Sequence, residues 1–313
     1  QQYVCIKNDK SLIKTIEQGV PQGSVLGPIL FLIYINDLPN STSNQVILFA
    51  DDTTVIGQHS ELTLLESAKN HVTNQISGWF AANKLVSNSN KTQEVIFSLR
   101  EINNPIETPA KFLGLLLDRK MTWESHITQV VKKLSSNLFL LREILTCVSQ
   151  SAALTTYHSV VHSVLTYGIL IWGHSPHIKK LFAFQRKCLR LLDHLGYRDD
   201  CRPAFIKLKI LTLPSVYIFQ CLLFVYQNRT DYDCAKHTYA TRNRHLLRPE
   251  FLRLNRTQNS SNYFCVRLYN ELPECIKILE YSSFKNIIKA ILLKNAFYSI
   301  DEFRLKIRNE TFS

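Results

Sequence analysis

A short alternation of apolar and β-branched residues near residue 50 predicts two strands joined by a tight turn. Residues 46–50 are all apolar, which predicts one strand, and the β-branched run at 53–56 predicts its partner. The only charges between residues 46 and 57 are the carboxylates of Asp51 and Asp52, which fall at the turn. A plain polar turn is one interpretation, because aspartate is common in turns. The other is a cation site, since neighbouring carboxylates repel each other unless a divalent ion holds them.

Just before this hairpin, a loop rich in glycine and proline leads into an apolar helix. Residues 18–30 contain three glycines and two prolines, which predicts a rigid loop. Ser24 is placed to cap the helix, Pro28 is tolerated in its first turn, and Pro39 prevents its continuation. Such a loop at a helix N-terminus suits a phosphate or a closely packed nucleotide, although many ordinary turns share the pattern.

Beyond residue 120 the spacing of apolar residues predicts a chain made mostly of helices. From Met121 to Leu145 apolar residues recur every three or four positions, and Lys132 and Lys133 fall on the opposite face. The uncharged run 144–178 is interrupted by polar residues too often for a membrane span, so it predicts two buried helices. Further helices are predicted around 181–192, 213–226 and 284–293.

Basic residues are concentrated in the second part of the chain. Residues 1–120 hold 10 lysines and arginines against 11 acids, whereas residues 121–313 hold 27 against 14. This asymmetry favours contact with a nucleic-acid backbone over a membrane surface, because the basic residues are dispersed rather than gathered beside large apolar ones. Solvated surface charge is the alternative for any one of them. The candidate nucleic-acid contacts are Lys132, Lys133, Arg186, Lys187, Arg190, Arg242, Arg244 and Arg248.

The eight cysteines predict neither a zinc site nor a disulfide framework. No Cys-x-x-Cys pair occurs, and the half-site spacing of Cys234 and His237 has no second half, so zinc is not expected. No basic-then-apolar leader is present. The expected location is therefore intracellular, cytoplasmic or nuclear, with reduced thiols and no membrane partner.

The loop and the hairpin together resemble two motifs of reverse transcriptases, specifically those of Jockey-like non-LTR retrotransposons. The resemblance rests on Pro-Gln-Gly-Ser at 21–24 and Phe-Ala-Asp-Asp at 49–52, which are similar to motifs B and C of that family. It implies that Asp51 binds magnesium, with Asp52 as a supporting carboxylate. The residues implied to lie under the primer end or beside the nucleotide and template are Phe49, Ala50, Pro21, Gln22 and Gly23.

The resemblance continues downstream of the hairpin. The matching residues of the next segment are Trp79, Asn83, Leu85, Asn90, Lys91 and Thr92. The family places that lysine near the leaving pyrophosphate, where a cation would offset developing charge; an exposed surface lysine is the alternative. The segment 111–118 resembles the primer-grip hairpin, with Phe112, Leu113 and Gly114 as implied primer contacts, and its apolar run equally suits a core strand.

The resemblance implies an α+β fold. We expect a partial polymerase palm in residues 1–120, with the motif B helix packed across an antiparallel sheet. A helical thumb is expected in residues 121–195, and a basic helical C-terminal region in residues 196–313.

The implied activity is RNA-directed DNA polymerisation. Two magnesium ions would assist transfer of deoxynucleotides from their triphosphates to a DNA primer on an RNA template. The family carries another aspartate, in motif A, well before the Pro-Gln-Gly loop, and only 20 residues precede Pro21. We therefore expect this chain alone to be inactive. A non-catalytic nucleic-acid-binding remnant and a purely structural protein are the alternatives.

Overall fold

The computed structural model describes residues 3–15, 23–98, 108–234, 246–248 and 260–309. The chain divides into two compact units, residues 1–92 and residues 93–313. Helices and two-stranded antiparallel sheets make up the described parts of both units, so the architecture is α+β, as predicted. Of the predicted site residues, Pro21, Gln22, Arg242 and Arg244 lie outside the described residues.

The described part of the first unit contains two hairpins and two α-helices. Strands β1 and β2 (Cys5–Ile6 and Asp9–Lys10) form the first hairpin, and β3 and β4 (Gln45–Phe49 and Asp52–Ile56) form the second. Helix α1 spans Leu26–Ile35, a 3-10 turn follows at Leu38–Ser41, and helix α2 spans Leu62–Ala82. We call β3–β4 the Asp-Asp hairpin. Its bounds fall within a residue of the predicted ones.

The predicted packing of α1 across the sheet is not what the structure shows. Only Gly27 and Ile35 of this helix are buried among the described residues. The apolar side chains of α1 that are about half exposed or more belong to Leu26, Ile29, Leu30, Leu32, Ile33 and Tyr34. The physical reason is that α1 is apolar on all sides, and a hairpin of two five-residue strands has too little surface to cover it.

The second unit begins with a hairpin and continues as helices. Strands β5 and β6 (Ala110–Phe112 and Leu115–Leu117) form this hairpin, which we call the Leu-Gly hairpin after its turn residues. The following helices are α3 Glu124–Leu145, α4 Gln150–Thr156, a π-helical segment Tyr157–His162, α5 Ser163–Thr166, α6 Ile169–Trp172, α7 Ile178–Leu192, α8 Arg202–Lys207 and α9 Leu213–Gln227. After a 3-10 turn at Arg229–Asp231 come β7 Asp233–Cys234 and its partner β8 Leu247–Arg248, then α10 Ser261–Asn270, α11 Glu274–Lys277, α12 Tyr281–Asn295 and α13 Ile300–Asn309.

One hydrophobic core runs through the helices of the second unit. Its largest fully buried side chains include Trp172, Tyr157 and Tyr217. A single buried amide ties three segments together inside it. The Nε2 of Gln185 donates to the Tyr157 hydroxyl at 3.0 Å and the Leu211 carbonyl at 2.9 Å, while its Oε1 accepts from the Leu213 amide at 2.7 Å. Such a fully bonded polar group fixes the register of the helices around it.

The helices predicted from periodicity are present. In α3 the predicted apolar stripe is buried, with Ile127, Leu134 and Leu141 fully enclosed. The uncharged run 144–178 is helical, as predicted, but it forms α4, the π-helical segment, α5 and α6 rather than two helices. The first three of these bury only one face each, because their other face carries exposed polar residues. No described helix is long and apolar enough to cross a bilayer.

Candidate active site and nucleic-acid contacts

The Asp-Asp hairpin closes through a two-residue turn formed by Ala50 and Asp51. Its register pairs Val46 with Val55 and Phe49 with Asp52, so the turn residues follow the last pair directly. Ala50 has a φ of +52°, in the left-handed region that a residue with a Cβ rarely adopts. A strained turn at this point sets the directions in which the side chains of the two aspartates leave the backbone.

Both carboxylates at this turn are exposed and have no bonding partner among the described residues. Neither the Asp51 nor the Asp52 side chain forms a hydrogen bond or an ion pair with any described residue. Phe49 beside them has 61% of its surface exposed. Magnesium is commonly held by one or two carboxylates plus substrate phosphates and water, so this donor set fits that ion. Among the described residues, no group of three or more histidine, cysteine or acidic side chains is placed to hold a metal.

The loop before α1 is described only from Gly23 onward. Gly23 has a φ of +83°, and a Cβ built there would meet no atom of the described residues within 4 Å. The Ser24 hydroxyl accepts a hydrogen bond from the Gly27 amide at 3.1 Å, which confirms the predicted cap. Ser24, which directly follows Gly23, therefore satisfies one of the free amides at the start of α1.

Lys91 lies in an exposed turn that Asn88 organises. The Asn88 carbonyl accepts from the amides of Lys91 and Thr92 at 3.0 and 3.1 Å, and its Oδ1 accepts from the Asn90 amide at 3.1 Å. The chain reaches this turn from the end of α2, where the Asn83 Nδ2 donates to the Trp79 carbonyl at 3.0 Å.

The start of this segment is tied to α1. The Tyr34 hydroxyl donates to the Asn83 carbonyl, so the helix after the Gly-rich loop and the end of α2 are joined by a hydrogen bond. No local sequence pattern predicts this link, because the two residues are 49 positions apart.

The Leu-Gly hairpin turns through two residues with positive φ. Leu113 has a φ of +45° and Gly114 of +85°, the pattern of a type I′ turn, whose twist matches that of the flanking strands. Phe112 and Leu113 are half-buried, Gly114 is exposed, and Leu115 is buried in the core of the second unit. The hairpin therefore has an outward turn on a packed strand, which confirms the core strand and leaves the primer contact a prediction.

The chain after this hairpin contributes contacts that sequence reasoning did not assign. The Leu116 amide donates to His126 Nδ1 at 3.4 Å, and burial lowers the pKa of His126, which favours the neutral form that can accept. The Asp118 carboxylate accepts from the amides of Thr122 and Trp123 at 2.9 and 2.8 Å. These contacts fix the path from the hairpin into α3.

The basic candidates of the second unit fall into two groups. Lys132, Lys133 and Lys187 are exposed and have no ion-pair partner among the described residues. Arg186 lies over the ring of Phe182, 5.2 Å from its centroid, and the Arg190 Nη2 donates to the Asp199 carbonyl at 3.3 Å. Arg248 is exposed at the end of β8.

The cysteines whose surroundings are described are mainly core residues. Cys188, Cys201, Cys221 and Cys265 are buried, and each of these four is a free thiol. Burial raises the pKa of the Cys188 thiol to about 12, so it stays protonated at neutral pH. The thiols of Cys5, Cys147 and Cys275, in contrast, are exposed. Cys234 lies in β7, and its potential partner His237 lies outside the described residues.

Comparison with known proteins identifies relatives for much of the chain. Residues 1–117 match the family of reverse transcriptases (RNA-dependent DNA polymerases). The chain is 30% identical over 197 residues to the probable RNA-directed DNA polymerase from transposon X-element of Drosophila melanogaster, covering 56% of this chain and 22% of that protein. It is 28% identical over 214 residues to the RNA-directed DNA polymerase from mobile element jockey of the same species, covering 61% and 23%.

A third relative has a similar extent. The probable RNA-directed DNA polymerase from transposon BS of Drosophila melanogaster is 25% identical over 222 residues, covering 62% of this chain and 24% of that protein. The chain thus spans less than a quarter of the length of these relatives. No solved structure matches it significantly.

Proposed function

We propose that the chain is part of an RNA-directed DNA polymerase of the kind encoded by non-LTR retrotransposons, because residues 1–117 match the family of reverse transcriptases and the curated relatives carry that activity in their names. It would extend the 3′ end of a DNA primer on an RNA template, using deoxynucleoside triphosphates. The observation that carries this proposal is the pair of exposed, uncommitted carboxylates at the tip of the Asp-Asp hairpin, inside the segment that matches the family.

Asp51 and Asp52 have the properties that a magnesium site needs. Their oxygens are hard donors, both side chains are open to solvent, and no described cation neutralises either of them. A bound magnesium ion would supply the charge that stabilises the primer oxyanion and the leaving phosphate oxygens. The strained turn at Ala50 would keep the two carboxylates in place before the substrate arrives, because the turn offers the side chains few alternative directions.

Other residues of the first unit would handle the substrates. The exposed ring of Phe49, together with Ala50, would lie under the primer end, and the open backbone at Gly23 would let a nucleotide approach closely. Pro21 and Gln22 would border the same nucleotide. Lys91, exposed on its Asn88-organised turn, would offset charge on the leaving pyrophosphate.

We assign the palm to residues 1–120, the thumb to 121–195 and a basic C-terminal region to 196–313. In this assignment the turn of the Leu-Gly hairpin, at Leu113 and Gly114, contacts the primer. Exposed lysines of α3 and α7 contact the phosphates of the template–primer duplex. Inactivity of the isolated chain, expected from the position of motif A, stays a prediction.

A metal-binding titration tests the carboxylate assignment on the chain as it stands. Manganese, which replaces magnesium and is visible by electron paramagnetic resonance, is titrated with primer–template and a deoxynucleoside triphosphate present. We expect Asp51→Asn to remove the tightest site. The control is Asp9→Asn, which removes the same charge from an exposed strand of the same unit. Equal manganese binding by both variants would refute the metal assignment.

A primer-extension assay tests the activity on a longer protein that includes the upstream part of the reading frame. Extension should disappear in Asp51→Asn and continue in Asp9→Asn. If the Asp51→Asn protein still extends the primer, the carboxylate pair does not carry the chemistry.

A non-catalytic nucleic-acid-binding protein is the second candidate. The observation that favours it is the pair of exposed lysines on α3, Lys132 and Lys133, which need no metal to bind phosphate. The two candidates differ in the primer-extension assay. Only the second predicts salt-dependent binding of nucleic acid with no extension by the longer protein.

A further inference from the structure

The turn of the Leu-Gly hairpin is held by a tyrosine from a distant part of the chain. The Tyr167 hydroxyl donates a hydrogen bond to the Leu113 carbonyl, across 54 residues of sequence. The ring of Tyr167 also lies against Gly114, where a Cβ would be 3.4 Å from the Tyr167 Cε1. Both turn residues are therefore in contact with one side chain, which itself is 56% exposed.

The position of Tyr167 is fixed by contacts of its own carbonyl and of the next residue, Gly168. Its carbonyl accepts from the indole Nε1 of Trp172 at 3.0 Å, and Trp172 is fully buried. Gly168 adopts a φ of +63°, and a Cβ there would be 3.0 Å from the Leu115 Cδ2. The Tyr-Gly pair thus lets the segment 167–168 approach the hairpin closely, and the buried indole holds it there.

The turn needs such support because of its own sequence. Leu113 carries a side chain in the left-handed region, which glycine would occupy without strain. A hairpin of two three-residue strands is only marginally stable by itself. The hydroxyl of Tyr167 gives the turn carbonyl one fixed partner in place of exchanging water, so the direction of the peptide at residues 113–114 is set.

We propose that Tyr167 is a positioning residue for the primer end, acting through the turn of the Leu-Gly hairpin. The inference rests on the proposed function, because it requires that the turn contact the primer. Tyr167 itself holds the Leu113 carbonyl, and the turn holds the primer. Loss of the Tyr167 hydroxyl should therefore misplace the primer end. It should have little effect on the overall affinity for the primer–template, because phosphate contacts supply that affinity.

The test compares Tyr167→Phe with Tyr197→Phe in the chain as it stands. Both changes remove one phenolic hydroxyl from the second unit. Tyr197 is 87% exposed, and its hydroxyl has no partner among the described residues. Because the Tyr167 ring remains and is mostly solvent-exposed, Tyr167→Phe should fold. Hydrogen–deuterium exchange of peptides covering residues 110–117 reports on the hydrogen bond between the Tyr167 hydroxyl and the Leu113 carbonyl. We expect exchange about two- to tenfold faster in Tyr167→Phe, the effect of one neutral hydrogen bond, and no change in Tyr197→Phe.

A second measurement reports on the primer. A DNA primer ending in photoreactive 5-iodo-deoxyuridine is annealed to an RNA template, and its cross-links to the chain are mapped. The wild type should cross-link within residues 110–117. In Tyr167→Phe the yield there should fall about two- to tenfold, in step with the exchange, while the Kd for the hybrid changes less than about twofold.

The outcomes separate the inference from the proposed function. If the wild type gives no cross-link within 110–117, the primer-contact assignment fails and the inference fails with it. If the wild type cross-links there and Tyr167→Phe matches it in yield, only the inference is overturned. Unchanged exchange of the hairpin in Tyr167→Phe also overturns it, because the hydroxyl then does not hold the turn. If Tyr167→Phe lost cross-linking yield and affinity for the hybrid to the same extent, Tyr167 would have a general structural role. That result would overturn the proposal that it positions the primer end.

Discussion

The exposed face of α3 gives the sharpest test of nucleic-acid binding. We consider the double change Lys132→Gln and Lys133→Gln. Both side chains are exposed near the middle of the helix, whereas Val130 and Leu134 beside them are buried. No described acid pairs with either lysine. Glutamine has nearly the helix propensity of lysine, so the change removes two charges and leaves the fold in place.

The size of the effect follows from the number of charges. Each phosphate neutralised by a lysine contributes about 0.9 to the slope of log K against log salt on double-stranded DNA. Two lost contacts therefore lower the slope by about 1.8. Over a fourfold rise in salt, from about 50 to about 200 mM, the wild type should lose about tenfold more affinity than the double variant.

Fluorescence anisotropy with a labelled DNA duplex measures this slope at several salt concentrations. The control is Lys14→Gln with Lys84→Gln, which removes the same net charge from two exposed positions of the first unit. If long-range charge alone determined binding, the control would flatten the slope as much as the α3 variant does. That equality, or an unchanged slope in the α3 variant, would refute the reasoning.

Three further predictions concern stability of the second unit. Gly173→Ala should destabilise it by about 3 kcal/mol in a urea transition followed by tryptophan fluorescence, because the new Cβ would lie 2.3 Å from Tyr217 Cδ2. Gly78→Ala in α2, where a Cβ would meet no described atom within 4 Å, should not destabilise the protein, because alanine is the better helix former. Gln185→Leu should cost at least about 2 kcal/mol in that assay, since it leaves two buried groups and one part-buried carbonyl without their partner, and a loss below about 0.5 kcal/mol would contradict this. Burial lowers the pKa of His162 to about 4, so the unfolded chain binds more protons below its usual 6.5. The urea midpoint should fall as the pH drops from about 6.5 towards 4, and less steeply in His162→Gln.

Local patterns predicted the elements that carry the candidate site. The Asp-Asp hairpin was predicted within a residue of its bounds because the strand period and the turn chemistry both lie within twelve consecutive residues. The buried stripe of α3 was predicted for the same reason, since seven apolar residues repeat along one helix face. In each case the signal and the structure that it specifies are adjacent in the sequence.

Contacts between distant residues left no such signal. Tyr167 and Gly168 lie in the uncharged run 144–178, for which the sequence predicted only helices, and nothing local indicated that Tyr167 supports a turn 54 residues earlier. The exposed apolar surface of α1 was also missed, because the sequence of a helix shows that it is apolar and does not show how much of it a neighbour covers. The π-helical segment at Tyr157–His162 interrupts a run that periodicity alone describes as regular helix.

The contacts of α7 change how the charge of the second unit should be counted. Composition places three basic residues together at Arg186, Lys187 and Arg190, which suggests a phosphate-binding face. Arg186, however, also lies 6.0 Å from the ring centroid of Tyr298, on α7's packed side, and Arg190 is bonded to the backbone of the following loop. A guanidinium that stacks on aromatic rings contributes packing as well as charge. Of these three, only Lys187 has both exposure and no described partner, so it joins the two lysines of α3 as the charges that a salt titration should detect.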